Sequence, residues 1–80
     1  MILEQVRDFV LREYLPGEKP EALSPDQPLI SSGLIDSVGT LKLVLFLEET
    51  FGITIATEDI TGGRLDTLGR IADLVQSRRA

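Results

Sequence analysis

The stretch GLIDSVGTLKLVLFLEETFGI, residues 33–53, decides the fold of this chain. Asp36 and Ser37 stand where a helix can begin, because either side chain can accept a hydrogen bond from the free N–H groups of a first helical turn. Gly52 stands where the helix can end, since glycine readily adopts the left-handed conformation of a C-terminal cap. The pattern therefore predicts a helix that begins at Asp36 or Ser37 and ends at Phe51.

Apolar residues surround most of this predicted helix. Four of them are expected in the core: Leu41, Val44, Leu47 and Phe51. Another face, at the spacing i, i+4, i+7, i+11, combines Val38, Lys42, Leu45 and Glu49. A helix that is apolar all round should be buried on every side, which a chain of 80 residues cannot easily provide. We therefore expect the second face to be a surface for a partner protein.

The residues before this stretch predict one helix and one long loop. Apolar residues at helical spacing predict a first helix over residues 2–15, which Pro16 ends. Residues 16–35 hold all four prolines of the chain and predict a long loop, since loops of more than ~12–15 residues are uncommon in compact domains. Five apolar residues are expected to pin this loop to the core: Leu23, Leu29, Ile30, Leu34 and Ile35.

The residues after the stretch predict two more helices. Residues 53–55 alternate like a strand but have no second strand to pair with, so we expect an extended connector with Ile53 and Ile55 inward. Residues 57–60 predict a single helical turn capped by Thr57, and residues from 66–67 onward predict the final helix. The fold class is therefore all-α: a four-helix bundle with a long first loop and a short third helix, in one domain over residues 1–80.

Composition excludes several kinds of chemistry. The chain has no Cys and no His, which excludes disulfides, thiol catalysis, Ser-His-Asp catalysis and imidazole metal ligation. The net charge of −5 argues against a nucleic-acid partner. The longest apolar run, residues 43–47, is far shorter than the ~20 residues that span a membrane. We expect a cytoplasmic monomer that neither binds nucleic acid nor inserts into a membrane.

The residues GLIDSV, 33–38, followed fourteen positions after Ser37 by Phe51 and Gly52, resemble the acyl carrier protein superfamily. The resemblance extends over nearly the whole chain and implies an acyl-carrier-like bundle. It also implies that Ser37 is esterified by 4′-phosphopantetheine derived from coenzyme A, whose thiol carries an acyl or aminoacyl group as a thioester. Such a phosphoprotein is a substrate of other enzymes rather than an enzyme, and no metal site is expected.

The resemblance also implies partners and their contacts. The partners are a phosphopantetheinyl transferase, an acyl- or aminoacyl-loading enzyme, and a downstream synthase or transferase of lipid or secondary-metabolite biosynthesis. The expected contact residues are Asp36, Val38, Lys42, Leu45, Glu48, Glu49 and Ile55. In this family an acyl chain can fold back between the second and third helices. The residues expected to line such an acyl pocket are Leu47, Ile55, Ile60 and Leu65.

Two positions depart from the fatty-acid carriers. Gly39 and Lys42 stand where those carriers often have acidic residues. Gly39 costs a helix about 1 kcal/mol relative to alanine, so we expect a close approach there by the first helix or by a partner. The run DSVGT, residues 36–40, also resembles D-alanyl carrier proteins. The alternatives are therefore a D-alanyl or peptidyl (aminoacyl) carrier and, more remotely, an unmodified helical interaction adaptor.

Four acids close together in the sequence, on either side of the connector, are expected to repel one another. They are Glu48, Glu49, Glu58 and Asp59.

Overall fold

The computed structural model describes residues 1–79 as an all-helical bundle. Its α-helices are α1 (Ile2–Tyr14), α2 (Ser37–Phe51), α3 (Thr57–Thr61) and α4 (Leu68–Arg78), and a short 3₁₀ turn covers Pro20–Ala22. The predicted fold class is confirmed, with the long loop between α1 and α2 and the short third helix. Residues 53–55 form the predicted connector between α2 and α3, in which Ile53 is buried and Ile55 half-buried.

The core lies mainly between α1 and α4, which pack against each other. Each helix has a stripe of apolar residues at helical spacing, and burying such a stripe is the main favourable term in folding. The buried residues of these two helices are Val6, Phe9, Val10, Leu11, Leu68, Ile71, Leu74 and Val75.

Helix α2 begins and ends as its sequence predicts. The Gly39 N–H donates a hydrogen bond to Asp36 Oδ1 at 2.7 Å, so Asp36 is the N-terminal cap. Gly52 ends the helix in the left-handed conformation, with φ 65°. Ser37 is therefore the first residue inside the helix.

The predicted core face of α2 is wrong at one residue. Leu41 is 62% exposed, whereas Leu43 is fully buried. The buried stripe runs through Thr40, Leu43 and Leu47, and Leu41 lies one residue, about 100°, round the helix from Thr40. Leu47 lies in the core as predicted.

The caps of the two last helices differ. Thr67 caps α4, since its Oγ1 accepts a hydrogen bond from the Arg70 N–H at 3.1 Å. Thr57, predicted as the cap of α3, is instead its first helical residue. The Ala56 N–H donates to Asp59 Oδ2 at 2.8 Å, so the acid inside the helix satisfies a group at its start.

The long loop is held in two ways. Leu23, Leu29 and Ile35 are buried, and Ile30 is half-buried, so the loop is pinned to the core as predicted. Asp66, just before α4, binds the turn that follows Leu29. It accepts hydrogen bonds from Ile30 N–H and Ser31 N–H, both at 2.8 Å, and from the Ser31 hydroxyl at 2.7 Å.

Over residues 1–79, the structure has no helix with the length and apolar character needed to cross a membrane. The cytoplasmic location, the monomeric state and the extent of the domain stay predictions.

Candidate functional site

Ser37 is an exposed residue at the N-terminal end of α2. Asp36 caps the helix through Gly39, so the Ser37 hydroxyl is not needed for that role. Among residues 1–79 that hydroxyl forms no hydrogen bond. The first turn of a helix also leaves backbone N–H groups without intrahelical acceptors, which favours an anion at this end.

Helix α1 fixes the inner side of this first turn. The Tyr14 hydroxyl donates a hydrogen bond to the Gly39 carbonyl at 2.8 Å. A Cβ atom on Gly39 would lie 2.9 Å from two atoms of the Tyr14 side chain and 3.0 Å from Ile35 Cγ2. The expected close approach at Gly39 is thus made by the first helix. Gly39 is buried, so it is not part of a face that a partner could contact.

The environment of Tyr14 disfavours its charged form. Burial raises the pKa of the Tyr14 hydroxyl above its usual range, and the nearby carboxylates of Glu13 and Asp36 raise it further. Tyr14 therefore remains a neutral hydrogen-bond donor to Gly39 across the ordinary pH range.

A cavity of about 560 Å³ opens beside Ser37. Its walls come from the long loop, the first turns of α2, and α3. The lining residues are Ile30, Gly33, Ile35, Asp36, Ser37, Thr40, Leu41 and Ile60. Most of these walls are apolar, so the cavity suits an apolar group more than a charged one.

The structure does not gather the four predicted pocket residues around one cleft. Ile60 lines the cavity, but Leu47 and Leu65 are fully buried in the core and Ile55 is half-buried on the connector. The loop wall at Ile30 was missed by the sequence prediction. The sequence does hold a signal for this wall. Ile30 is one of the apolar loop residues that precede the Asp-Ser pair, and such residues can face a cavity beside Ser37 as well as the core.

Two of the four acids expected to repel one another have hydrogen-bond partners in the folded chain. Asp59 is only 4% exposed and accepts hydrogen bonds from two nitrogens of Arg78, at 2.8 and 2.9 Å. Glu48 accepts a hydrogen bond from the Ile55 N–H at 2.9 Å. Two of the four acids thus act as acceptors that bind α3 and the connector in place.

Two carboxyl groups near the cavity walls have lowered pKa values. The hydrogen bonds from Arg78 lower the pKa of Asp59 most, and the Ala56 N–H lowers it further. The Ser31 backbone N–H is the largest cause of the lowered pKa of Asp66. Both carboxylates are therefore stabilised in their charged forms by the folded chain.

The expected partner-contact residues fall into two groups by exposure. Asp36, Val38, Lys42, Leu45 and Glu49 are exposed, and Glu48 and Ile55 are half-buried. Val38 and Leu45 are among the large apolar side chains with the greatest exposure in residues 1–79. Over the same residues, the structure has no group of three or more acidic, His or Cys side chains that could hold a metal ion.

The family described as "Phosphopantetheine attachment site" matches residues 11–75, which is most of the chain. The chain belongs to this family of carrier proteins. Members carry a covalently attached 4′-phosphopantetheine group and are substrates of other enzymes. The exposed, unpartnered hydroxyl of Ser37 at a helix N-terminus fits the attachment of such a phosphate ester.

Several D-alanyl carrier proteins are similar to this chain. A D-alanyl carrier protein of Abiotrophia defectiva is 31% identical over 80 residues, which is 100% of this chain and 89% of the relative. D-alanyl carrier proteins of two strains of Lactobacillus delbrueckii subsp. bulgaricus are 33% identical over 51 residues, or 64% of each chain. This chain therefore spans less than two thirds of the Lactobacillus proteins in the matched region.

Proposed function

We propose that Ser37 is the attachment residue and that the chain carries an acyl or aminoacyl group between biosynthetic enzymes. The observation that carries the proposal is the exposed Ser37 hydroxyl at the start of α2, free because Asp36 makes the cap. When bound, 4′-phosphopantetheine supplies a thiol that holds the carried group as a thioester. The chain has no Cys, so it offers no thiol of its own.

The residues around Ser37 would serve the attached group in distinct ways. The N-terminal end of α2 favours the negative charge of a phosphodiester, through its dipole and its free N–H groups. Asp36 keeps the first turn ordered whether or not Ser37 is modified. Tyr14 holds the same turn from inside the bundle through Gly39. The first turn of α2 is therefore held in place by Asp36 and Tyr14, while the exposed Ser37 side chain leaves room for the attached arm to move.

Attachment at Ser37 is tested by intact mass after incubation with coenzyme A and a broad-specificity phosphopantetheinyl transferase. The expected result is a gain of one phosphopantetheine on the native chain, located on Ser37 by peptide mapping. Ser37→Ala should gain none. Ser24→Ala, which removes another exposed hydroxyl from the loop, is the matched control and should be modified normally.

Two results would contradict the attachment proposal. One is a cofactor mapped to another residue. The other is an unchanged mass in the native chain, which would favour an unmodified helical adaptor. The free energy of unfolding of Ser37→Ala should also lie within about 0.5 kcal/mol of that of the native chain, because the hydroxyl that is removed makes no hydrogen bond. Loss of modification would then not reflect loss of the fold.

For the carried group, D-alanine is a specific candidate. Relatives that match this chain include D-alanyl carrier proteins, and the run DSVGT at residues 36–40 resembles theirs. The largely apolar cavity beside Ser37 favours an acyl group instead. If D-alanine is the carried group, the chain with its phosphopantetheine attached should gain one alanyl group when it is incubated with D-alanine, ATP and a D-alanine-activating ligase. Loading only from acyl donors would favour an acyl group instead.

The partner face proposed for α2 combines Val38, Lys42 and Leu45, all exposed. A phosphopantetheinyl transferase would meet Asp36 and Val38 beside Ser37. A loading enzyme and a downstream synthase or transferase would contact Leu45 and present an acidic or small residue to Lys42. Glu48, Glu49 and Ile55 extend this face toward the connector.

A further inference from the structure

Helix α3 is too short to be stable by itself. It has five residues, Thr57–Thr61, and isolated helices shorter than ~12–15 residues are marginal in water. Yet it carries Ile60, which forms one wall of the cavity beside Ser37. Contacts from elsewhere in the chain must therefore hold this wall in place.

Arg78, the last residue of α4, makes several of those contacts. Its guanidinium donates to both carboxylate oxygens of Asp59, at 2.8 and 2.9 Å. The same side chain donates to the Thr54 carbonyl at 3.0 Å. One residue thus ties the connector and α3 to α4, and its two bonds to Asp59 are the bidentate kind that fixes geometry as well as adding energy.

We propose that Arg78 is a positioning residue for the carrier site. By holding Asp59 and Thr54, it keeps Ile60 against the cavity and so shields an apolar group carried on the Ser37 arm from water. The shielding part of this inference rests on the function proposed above. The positioning part concerns the unmodified chain and is tested separately.

Removing Arg78 would leave the Asp59 carboxylate buried with weaker partners. Arg64 lies 3.6 Å from Asp59 Oδ1, is more exposed, and cannot reproduce both bonds. A buried carboxylate without its partner is strongly unfavourable, so Asp59 would turn toward water. Ile60 is the next residue of the same helical turn and would move with it. The inner side of α2, held by Tyr14, would stay unchanged.

Amide hydrogen exchange on the unmodified chain tests the positioning. The informative amides are those of Gly62, Gly63 and Arg64, which bond to carbonyls of Glu58, Ile60 and Asp59. Arg78→Gln should accelerate their exchange at least tenfold and leave the α1 amides unchanged. Arg79→Gln is the matched control, because Arg79 follows in sequence but lies over the Phe51 ring. Equal exchange of these three amides in both variants would overturn the proposal.

Thioester lifetime tests the shielding. An octanoyl group and an acetyl group are each placed on the chain from the corresponding coenzyme A ester. The octanoyl thioester carried by Arg78→Gln should be hydrolysed by water several-fold faster than the one carried by the native chain or by Arg79→Gln. The acetyl thioester, too short to fill the cavity, should be hydrolysed at one rate in all three. Equal octanoyl rates in all three would overturn the proposal.

A second variant shows whether Arg78 acts through Ile60. Ile60→Ala removes the wall directly, leaves the ion pair intact and should speed octanoyl hydrolysis by a similar factor. The double variant should be no faster than the faster single one, because both remove the same wall. If the two substitutions together increased the hydrolysis rate by the product of their separate factors, Arg78 would not act through Ile60. Failure of loading at Ser37 would count against the proposed function alone, since the exchange measurement needs no loaded chain.

Discussion

Two parts of this molecule are held together by different forces. Helices α1 and α4 meet through fully buried apolar side chains such as Val10 and Leu74. The loop and α3, which form two walls of the cavity, are held by apolar residues that pack on the core and, in addition, by hydrogen bonds to two carboxylates, Asp66 and Asp59. The scaffold, the contact between α1 and α4, is thus apolar, whereas the walls beside Ser37 also depend on a few polar contacts.

The difference separates the stability of the fold from the stability of the site. Loss of an apolar contact between α1 and α4 weakens every element, because small domains unfold cooperatively. Loss of a hydrogen bond at the loop or α3 can open one wall while the rest stays folded. A carrier needs this combination, since the attached group must be held at one moment and released to an enzyme at another.

The largest expected effect comes from the scaffold. Leu74→Ala should lower the free energy of unfolding by about 2–5 kcal/mol, because Leu74 is fully buried and its removal leaves a cavity. A chain of this size has only about 4–12 kcal/mol in total, so the loss should be visible as a large shift in the urea midpoint.

Leu41→Ala is the matched control for that prediction. It removes the same atoms from a residue that is 62% exposed, so the free energy of unfolding should fall by less than about 1 kcal/mol. Equal losses at the two positions would contradict the division between scaffold and walls.

A smaller effect is expected where the scaffold meets the site. Gly39→Ala should destabilise the chain by up to about 2 kcal/mol, because crowding of Tyr14 and Ile35 costs about 1–3 kcal/mol and the helix gains only about 1 kcal/mol. Chemical denaturation measures the change. In a Tyr14→Leu background, which removes the crowding ring, the same substitution should be neutral or stabilising.

Gly69→Ala provides the control for Gly39→Ala. Gly69 lies inside α4, and a Cβ there would be 3.5 Å from the Pro25 carbonyl, an ordinary contact. Alanine at this position should stabilise the chain by up to about 1 kcal/mol. If Gly39→Ala were as favourable as Gly69→Ala, Tyr14 would not define the spacing of α1 and α2.

The sequence predicted the scaffold better than the walls. Periodicity and capping residues are local signals, and they gave the bounds of α2, the all-α class and the exposed face with Val38 and Leu45. The partners of Asp59 and Asp66 lie 19 and about 35 residues away, so no local pattern indicates them. The same limit explains why Ile60 alone of the four predicted pocket residues lines the cavity beside Ser37, because the loop wall of that cavity joins α2 only in the folded chain.

The two carboxylates that bind the walls should make the stability of the folded chain sensitive to acid. Folding lowers the pKa of Asp59 and Asp66 from the usual value of about 3.9. Their contribution to stability is fully present above that value and is lost as pH falls through the lowered pKa values. The melting temperature should therefore be nearly constant from about pH 7 to 5 and decrease below about pH 4.

Substitutions test the source of this acid sensitivity. Asp66→Asn should lower the melting temperature at neutral pH and make its decrease below about pH 4 shallower, since an asparagine side chain cannot titrate. Asp73→Asn, at an exposed position on α4, should leave the pH profile unchanged. A profile that is equally steep in both variants would show that carboxylates other than Asp66 control unfolding in acid.

The smallest effect on stability is expected on the partner face, where Lys42→Glu should change the free energy of unfolding by less than about 0.5 kcal/mol. Gly39 is buried, so of the two departures from fatty-acid carriers only Lys42 can meet a partner. An enzyme with a basic docking surface built for acidic carriers would be repelled by Lys42, and a charge at the rim acts mainly on the association rate. Lys42→Glu should therefore raise the association rate with a fatty-acid elongation enzyme severalfold, and added salt should reduce the gain.

Lys19→Glu, which makes the same charge change on the exposed loop, should have a smaller effect. If the native chain already associates as fast as a dedicated fatty-acid carrier, or if both variants gain equally, the charge at Lys42 does not determine the choice of partner.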